Sequence, residues 1–147
     1  MVVIPHWHPS QNYGPRKKGG HPQLIVLHYT AMDTTEAALQ RLCDPQHEVS
    51  AHYLISPNGI IWQMVDEAQR AWHAGAGRWR EFKDVNSYSI GIELANTGAE
   101  PFPEPQMAAL EKLLNNSLTD FIDSHGDTFG YAAFRLRDTI ESVTYKH

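Results

Sequence analysis

Four aliphatic residues in succession, Leu24 to Leu27, run straight into His28, Tyr29 and Thr30. A short apolar run of this kind reads as a buried strand, and its last residues hold an imidazole and a phenol on a rigid element. Thr34 to Leu42 follows, with Asp33 or Thr34 as N-cap. Ala37, Ala38, Leu39 and Leu42 give it one apolar face, which predicts a short structural helix. Ser50 to Met64 carries the clearest local signal: SAHYLIS and IIWQM flank Pro57-Asn58-Gly59, the pattern of a β-hairpin closed by an Asn-Gly turn. His52 alternates with Ala51 and Tyr53, so it occupies one face of the first hairpin strand, in the same sheet as His28.

Two further segments complete the pattern. Ser89 to Leu94, SIGIEL, reads as another buried strand, and Glu93 stands in it between Ile92 and Leu94. An unpaired carboxylate in such surroundings costs several kcal/mol, so a glutamate there is paired, protonated or catalytic. Pro105 to about Ile122 predicts the longest helix, with Glu104 and Pro105 in its first turn and a stripe of Met107, Leu110, Leu113 and Leu114. Between them, AWHAGAG from Ala71 to Gly77 predicts a close-packed loop lining a cleft. Its glycine spacing fits neither a dinucleotide fingerprint nor a phosphate-binding loop. Residues 1 to 22 show no period and read as an extended arm with turns. Strands and helices alternate, and no linker divides the 147 residues. The prediction is one α/β domain with a central mixed sheet flanked by helices.

Composition narrows the function. A net charge of −5 argues against a broad nucleic-acid surface, and Arg16-Lys17-Lys18 reads as a solvated loop. No apolar run reaches membrane-span length, and MVVIPHWHPS has no basic start followed by a long apolar stretch, so neither a membrane nor a secretory signal is expected. The single Cys43 has no partner for an internal disulfide. These points together favour the cytoplasm, and a monomer is expected. Nine histidines and four tryptophans in so short a chain favour metal ligation and stacking on sugars or peptides. His6 and His8, around Trp7, read as a frayed terminal segment.

LIVLHYT, RLCDPQHEVSAHYLISPNG, VDEAQRAWHAGAGRW, VNSYSIGIELAN and PFPEPQMAALEKLL, in that order, resemble the zinc-dependent N-acetylmuramoyl-L-alanine amidases of the amidase-2 type. That family shares its fold with the peptidoglycan recognition proteins, and the likeness is greatest to its anhydromuramyl-peptide recycling subgroup. It covers roughly residues 10 to 115. The resemblance implies zinc-dependent cleavage of the amide between N-acetylmuramic acid and L-alanine, with peptidoglycan or muropeptides as substrate. It makes His28 the first zinc ligand and Glu93 the catalytic glutamate. Trp72 and His73 then line the substrate groove, Asn96 lies at the cleft floor, and Tyr29 offers an apolar face to sugar or stem peptide. His52 matches a position that is structural or cleft-lining.

After the long helix the family continues with a Gly-His-Ser-Asp segment and a loop ending in Asp-Pro-Gly. Here the chain reads DSHGDTFGYAAFRLRDTIESVTYKH instead. His125-Gly126-Asp127 keeps the His-x-Asp order, which nominates His125 as a second zinc ligand; the polar end of the helix is the other reading. Asp138 and Lys146 are nominated for the remaining roles by residue type alone. A catalytically inactive module that binds peptidoglycan fragments is the alternative function.

Overall fold

The structure is a computed structural model that describes residues 4–76, 78–79, 81–117 and 145–146, with backbone alone at 116–117 and 145–146. Its strands are β1 (His6–Trp7), β2 (Tyr13–Gly14), β3 (Leu24–Tyr29), β4 (Tyr53–Ile55), β5 (Ile61–Gln63), β6 (Arg70–Ala71), β7 (Ser89–Leu94) and β8 (Tyr145–Lys146). The helices are α1 (Thr35–Cys43) and α2 (Glu104–Lys112). The main sheet has the order β1-β5-β4-β7-β3-β8, and β2 pairs with β6 in a separate two-stranded ribbon. β7 lies in the middle, parallel to β3 on one side and to β4 on the other, while β4 and β5 form the antiparallel hairpin. The sheet is therefore mixed, as predicted, and α1 is the crossover that parallel β3 and β4 require.

Each helix covers one face of the sheet. Ile90, Ile92 and Leu94 of β7 join Leu27, Tyr53, Ile55 and Ile61 in a core closed by Met107, Leu110, Leu113 and Leu114. That is the predicted apolar stripe. On the other face Leu54, Ala51, Met64 and Ala95 pack against Ala38 and Leu42 of α1. Thr34 caps α1, its Oγ1 accepting from the Ala37 N–H at 3.1 Å, an interaction whose loss typically costs about 1 kcal/mol. The hairpin turn closes through the Gly59 N–H to the Ser56 carbonyl. Gly59 has φ +88°, and a Cβ there would lie 2.8 Å from the Pro105 carbonyl, so both the turn and the approach of α2 require glycine. Gln106, fully buried on α2, donates to the carbonyls of Ile55 and Ala95 and ties the helix to the ends of β4 and β7.

Two segments differ from the expectation. The N-terminal arm is not merely extended: His6–Trp7 adds a parallel edge strand beside β5, a pairing that no local signal announces. The regular α-helical part of α2 ends at Lys112 and gives way to a π-helical stretch at Leu113–Ser117, where Asn115 and Asn116 are weak helix formers. Residues 118–122 of the predicted helix lie outside the described residues.

Arg16, expected in a solvated loop, instead anchors the arm to the sheet, because its guanidinium finds carbonyl partners there. Its guanidinium donates to the carbonyls of Asn86, Ser89 and Glu67. Nearby, the Tyr53 hydroxyl donates to Glu67 Oε1 at 2.9 Å. Burial pushes the Glu67 carboxyl up to about 7, with Asp66 adding to the rise and the Tyr53 hydrogen bond and Arg16 opposing it. A raised folded-state pKa means that the folded chain holds this proton more tightly than the unfolded chain. The contribution is complete below the ordinary glutamate range and is lost as pH rises towards about 7. Glu67→Gln should therefore lose less stability than the unchanged protein between about pH 5 and pH 8 in urea titrations. Parallel curves for the two proteins would remove Glu67 from the pH response.

Candidate active site

β7 alternates strictly. Ile90, Ile92 and Leu94 face α2, and Ser89, Gly91 and Glu93 face the other way. On neighbouring β3, Leu27 joins the α2 core and His28 the opposite face. His28 and Glu93 are register partners across the β3–β7 ladder, and Leu54 of β4 is the partner of Glu93 on its other side. The two candidate catalytic residues thus stand side by side on one face, near the carboxyl ends of parallel strands. That is where open α/β sheets place their ligands. Both are buried, His28 at 4% and Glu93 at 1% exposure.

A pocket of about 210 Å³ opens onto Glu93, walled by Thr30, Ala31, Met32, Val49 and, from α1, Ala38, Arg41 and Leu42. It is below the roughly 300 Å³ at which small-molecule pockets begin, so it suits one substituent of a larger substrate. Tyr29 and Asn96 meet in a second hollow of about 480 Å³ with Gly98, Pro101 and Phe102. The Asn96 side chain is engaged there in shaping the loop: Oδ1 accepts from the Gly98 N–H at 2.7 Å, and Nδ2 donates to the Glu100 carbonyl. Trp72 is half-buried, its backbone N–H donating to Ser50 Oγ.

His73, only 2% exposed, packs inside the protein against His28. Its Nδ1 lies 3.0 Å from His28 Nε2, with the rings nearly perpendicular. The loop that carries it is held by Asn86 Oδ1, which accepts from the N–H groups of His73 and Ala74. The ring lies directly over Gly91, where a Cβ would come within 2.4 Å of it. His52 is structural. Its Nδ1 accepts from the Gly91 N–H, its Nε2 is 2.9 Å from the Gln69 carbonyl, and burial pushes it down to about 4. It is a neutral imidazole bridging two backbone segments.

Among the described residues no three His, Cys, Asp or Glu side chains gather into a metal-binding group. His125 and Asp138 lie outside the described residues; Lys146 is the register partner of Tyr29, at the edge of the sheet. Ser89, Gly91 and Asn86 are contributors that the sequence reading did not single out. The alternation in SIGIEL is the signal that could have found the first two.

The Amidase_2 family, described as N-acetylmuramoyl-L-alanine amidase, matches residues 18–133. The chain belongs to that family. The family match runs beyond residue 115, where the motif-level resemblance fades. Among its relatives, the chain is 38% identical over 115 residues to the N-acetylmuramoyl-L-alanine amidase AmiD of Escherichia coli (strain K12), covering 67% of this chain and 41% of AmiD. It is 32% identical over 123 residues to the 1,6-anhydro-N-acetylmuramyl-L-alanine amidase AmpD of Haemophilus influenzae, covering 72% of this chain and 67% of AmpD. The chain thus spans about two fifths of the one relative and two thirds of the other. The fold matches the solved complex of E. coli AmiD with anhydro-N-acetylmuramic acid-L-Ala-D-gamma-Glu-L-Lys. The TM-score is 0.62 at 35% identity, over 77% of this chain and 47% of that one. No helix among the described residues is long and apolar enough to cross a membrane.

Proposed function

We propose that this chain is a zinc-dependent amidase that cleaves the bond between N-acetylmuramic acid and L-alanine in anhydromuramyl peptides, acting as a cytoplasmic monomer. One observation carries the reading: Glu93 and His28 are register partners on the polar face of the sheet, with a small pocket in front of Glu93. The names of the relatives AmiD and AmpD, and the muropeptide in the AmiD complex, support the substrate class.

His28 offers one buried imidazole of the kind a catalytic zinc takes, where three protein ligands leave one position open. His28 would supply the first ligand, and His125 the second. Zinc, when bound, polarises the scissile carbonyl and makes water a nucleophile at neutral pH. Glu93 takes the proton from the attacking water and delivers it to the departing amide nitrogen of L-alanine. The pocket walled by Thr30 and α1 receives a small substituent next to that carbonyl. Trp72 and Tyr29 offer apolar faces to sugar or stem peptide, Asn96 shapes the cleft floor, and His73 supports His28 from below.

The test is metal content and turnover measured together. The purified chain should hold about one zinc, lose it on chelation or in His28→Ala, and release the anhydromuramyl sugar from its tripeptide only when loaded. A folded, zinc-free chain that binds the anhydromuramyl tripeptide without cutting it would overturn the enzyme reading and establish the binding module.

A further inference from the structure

A continuous chain of hydrogen bonds runs from a backbone carbonyl to His28. Ser89 Oγ lies 2.7 Å from the Val85 carbonyl and 2.9 Å from His73 Nε2. His73 Nδ1 in turn lies 3.0 Å from His28 Nε2. All three side chains are buried: Ser89 at 0%, His73 at 2% and His28 at 4% exposure.

The direction of each bond follows from proton counting. A carbonyl only accepts, so the single hydroxyl proton of Ser89 goes to Val85 O. Towards His73 the hydroxyl then acts as acceptor, so Nε2 of His73 carries the proton. A neutral imidazole with its proton on Nε2 has its lone pair on Nδ1, and that nitrogen meets His28. The His28 Nε2–H must therefore donate, which leaves the His28 lone pair on Nδ1. We propose that Ser89, acting through His73, is a positioning residue that fixes the tautomer of His28, so that its Nδ1 is the electron-pair donor offered to a divalent cation. This rests on the reading of His28 as a metal ligand. A ligating histidine whose other nitrogen donates to a fixed partner is held in orientation and made more basic.

The surroundings are built for this relay. Asn86 Oδ1 accepts from two successive N–H groups at His73 and Ala74, so the loop cannot slide along the sheet. Gly91 leaves the space that the His73 ring occupies. His52, the third imidazole of the row, has its own nitrogens committed to Gly91 N–H and the Gln69 carbonyl, so it does not compete for His73.

The test is the protonation pattern of the histidine nitrogens in the metal-free full chain, read by long-range ¹H–¹⁵N correlation. His28 and His73 should both carry their proton on Nε2. In Ser89→Ala, His73 should lose that preference and His28 should follow it into a mixture of tautomers. Zinc affinity, measured by competition with a chelating dye, should fall roughly 10- to 100-fold, as for other supporting partners of metal ligands. Thr34→Ala, a helix-cap loss remote from the relay, should leave both the tautomers and the affinity unchanged, which separates positioning from general destabilisation. A wild-type His28 protonated on Nδ1, or a Ser89→Ala chain with unaltered His73, would overturn the relay. Nε2–H tautomers at both positions in a chain that takes up no zinc would uphold the relay and count against the zinc reading above.

Discussion

Glu93→Gln is expected to lower muropeptide turnover by roughly 10²- to 10⁴-fold, the range over which a positioned general base contributes. Glutamine keeps the shape and the hydrogen-bonding oxygen but cannot take a proton from water. The position is 1% exposed between Leu54 and His28 in the ladder, so a near-isosteric change preserves the packing. Removing a buried carboxylate also removes its desolvation cost, so the thermal transition should stay cooperative and near its original midpoint. Zinc content should be unchanged, because Glu93 is proposed to handle protons and not to bind the metal. A variant with full activity would remove Glu93 from the reaction. One that loses activity only by unfolding early would make it a structural residue.

Gly91→Ala carries the second large effect, and it acts through space. The added Cβ would lie 2.4 Å from Cγ and Cδ2 of His73 and 2.8 Å from its Nδ1, distances that real Cβ atoms do not tolerate. The ring has little room to yield. Its Nε2 is tied to Ser89, its Nδ1 to His28, and its backbone to Asn86. Overpacking of this kind typically costs about 1–3 kcal/mol, which for a chain of this size lowers the melting temperature by several degrees. The larger consequence is functional: displacing His73 releases His28, so zinc affinity and turnover should fall further than the stability loss alone explains. Chemical denaturation and zinc titration of the same preparation would separate the two. Unchanged stability and zinc affinity would mean that His73 has more freedom than its bonds suggest.

Much of the fold was legible because it is written in short-range signals. The Asn58-Gly59 turn needs a positive φ that glycine supplies, and it sits between two β-rich runs. Thr34 announces the start of α1, and the spacing of Met107, Leu110, Leu113 and Leu114 announces the buried face of α2. The candidate site was legible in part. His28 and Glu93 stood out because each interrupts an apolar strand. Reading SIGIEL as uniformly buried hid the more useful fact, that its two faces differ in kind: aliphatic towards α2, and serine, glycine and glutamate towards the site.

His73 shows where such reading stops. It is separated from His28 by 45 positions, and nothing in AWHAGAG says that the imidazole turns inward to meet another imidazole. That contact depends on β6 and its ribbon, on the anchoring by Asn86, and on the absence of a side chain at Gly91. The edge strand His6–Trp7 is similar, since its partner is 56 residues away at Trp62 and its own composition carries no strand signal.

The sequence by itself determined most of the elements, their capping and turns, and which strands carry an unusual polar residue, because propensity, periodicity and special backbone angles act over a few residues. Only the tertiary structure decided that His28 and Glu93 share a rung and that His73 and Ser89 join His28 in one hydrogen-bonded row. Those outcomes depend on strand order, register and close packing between distant segments, and no short stretch of chain contains them.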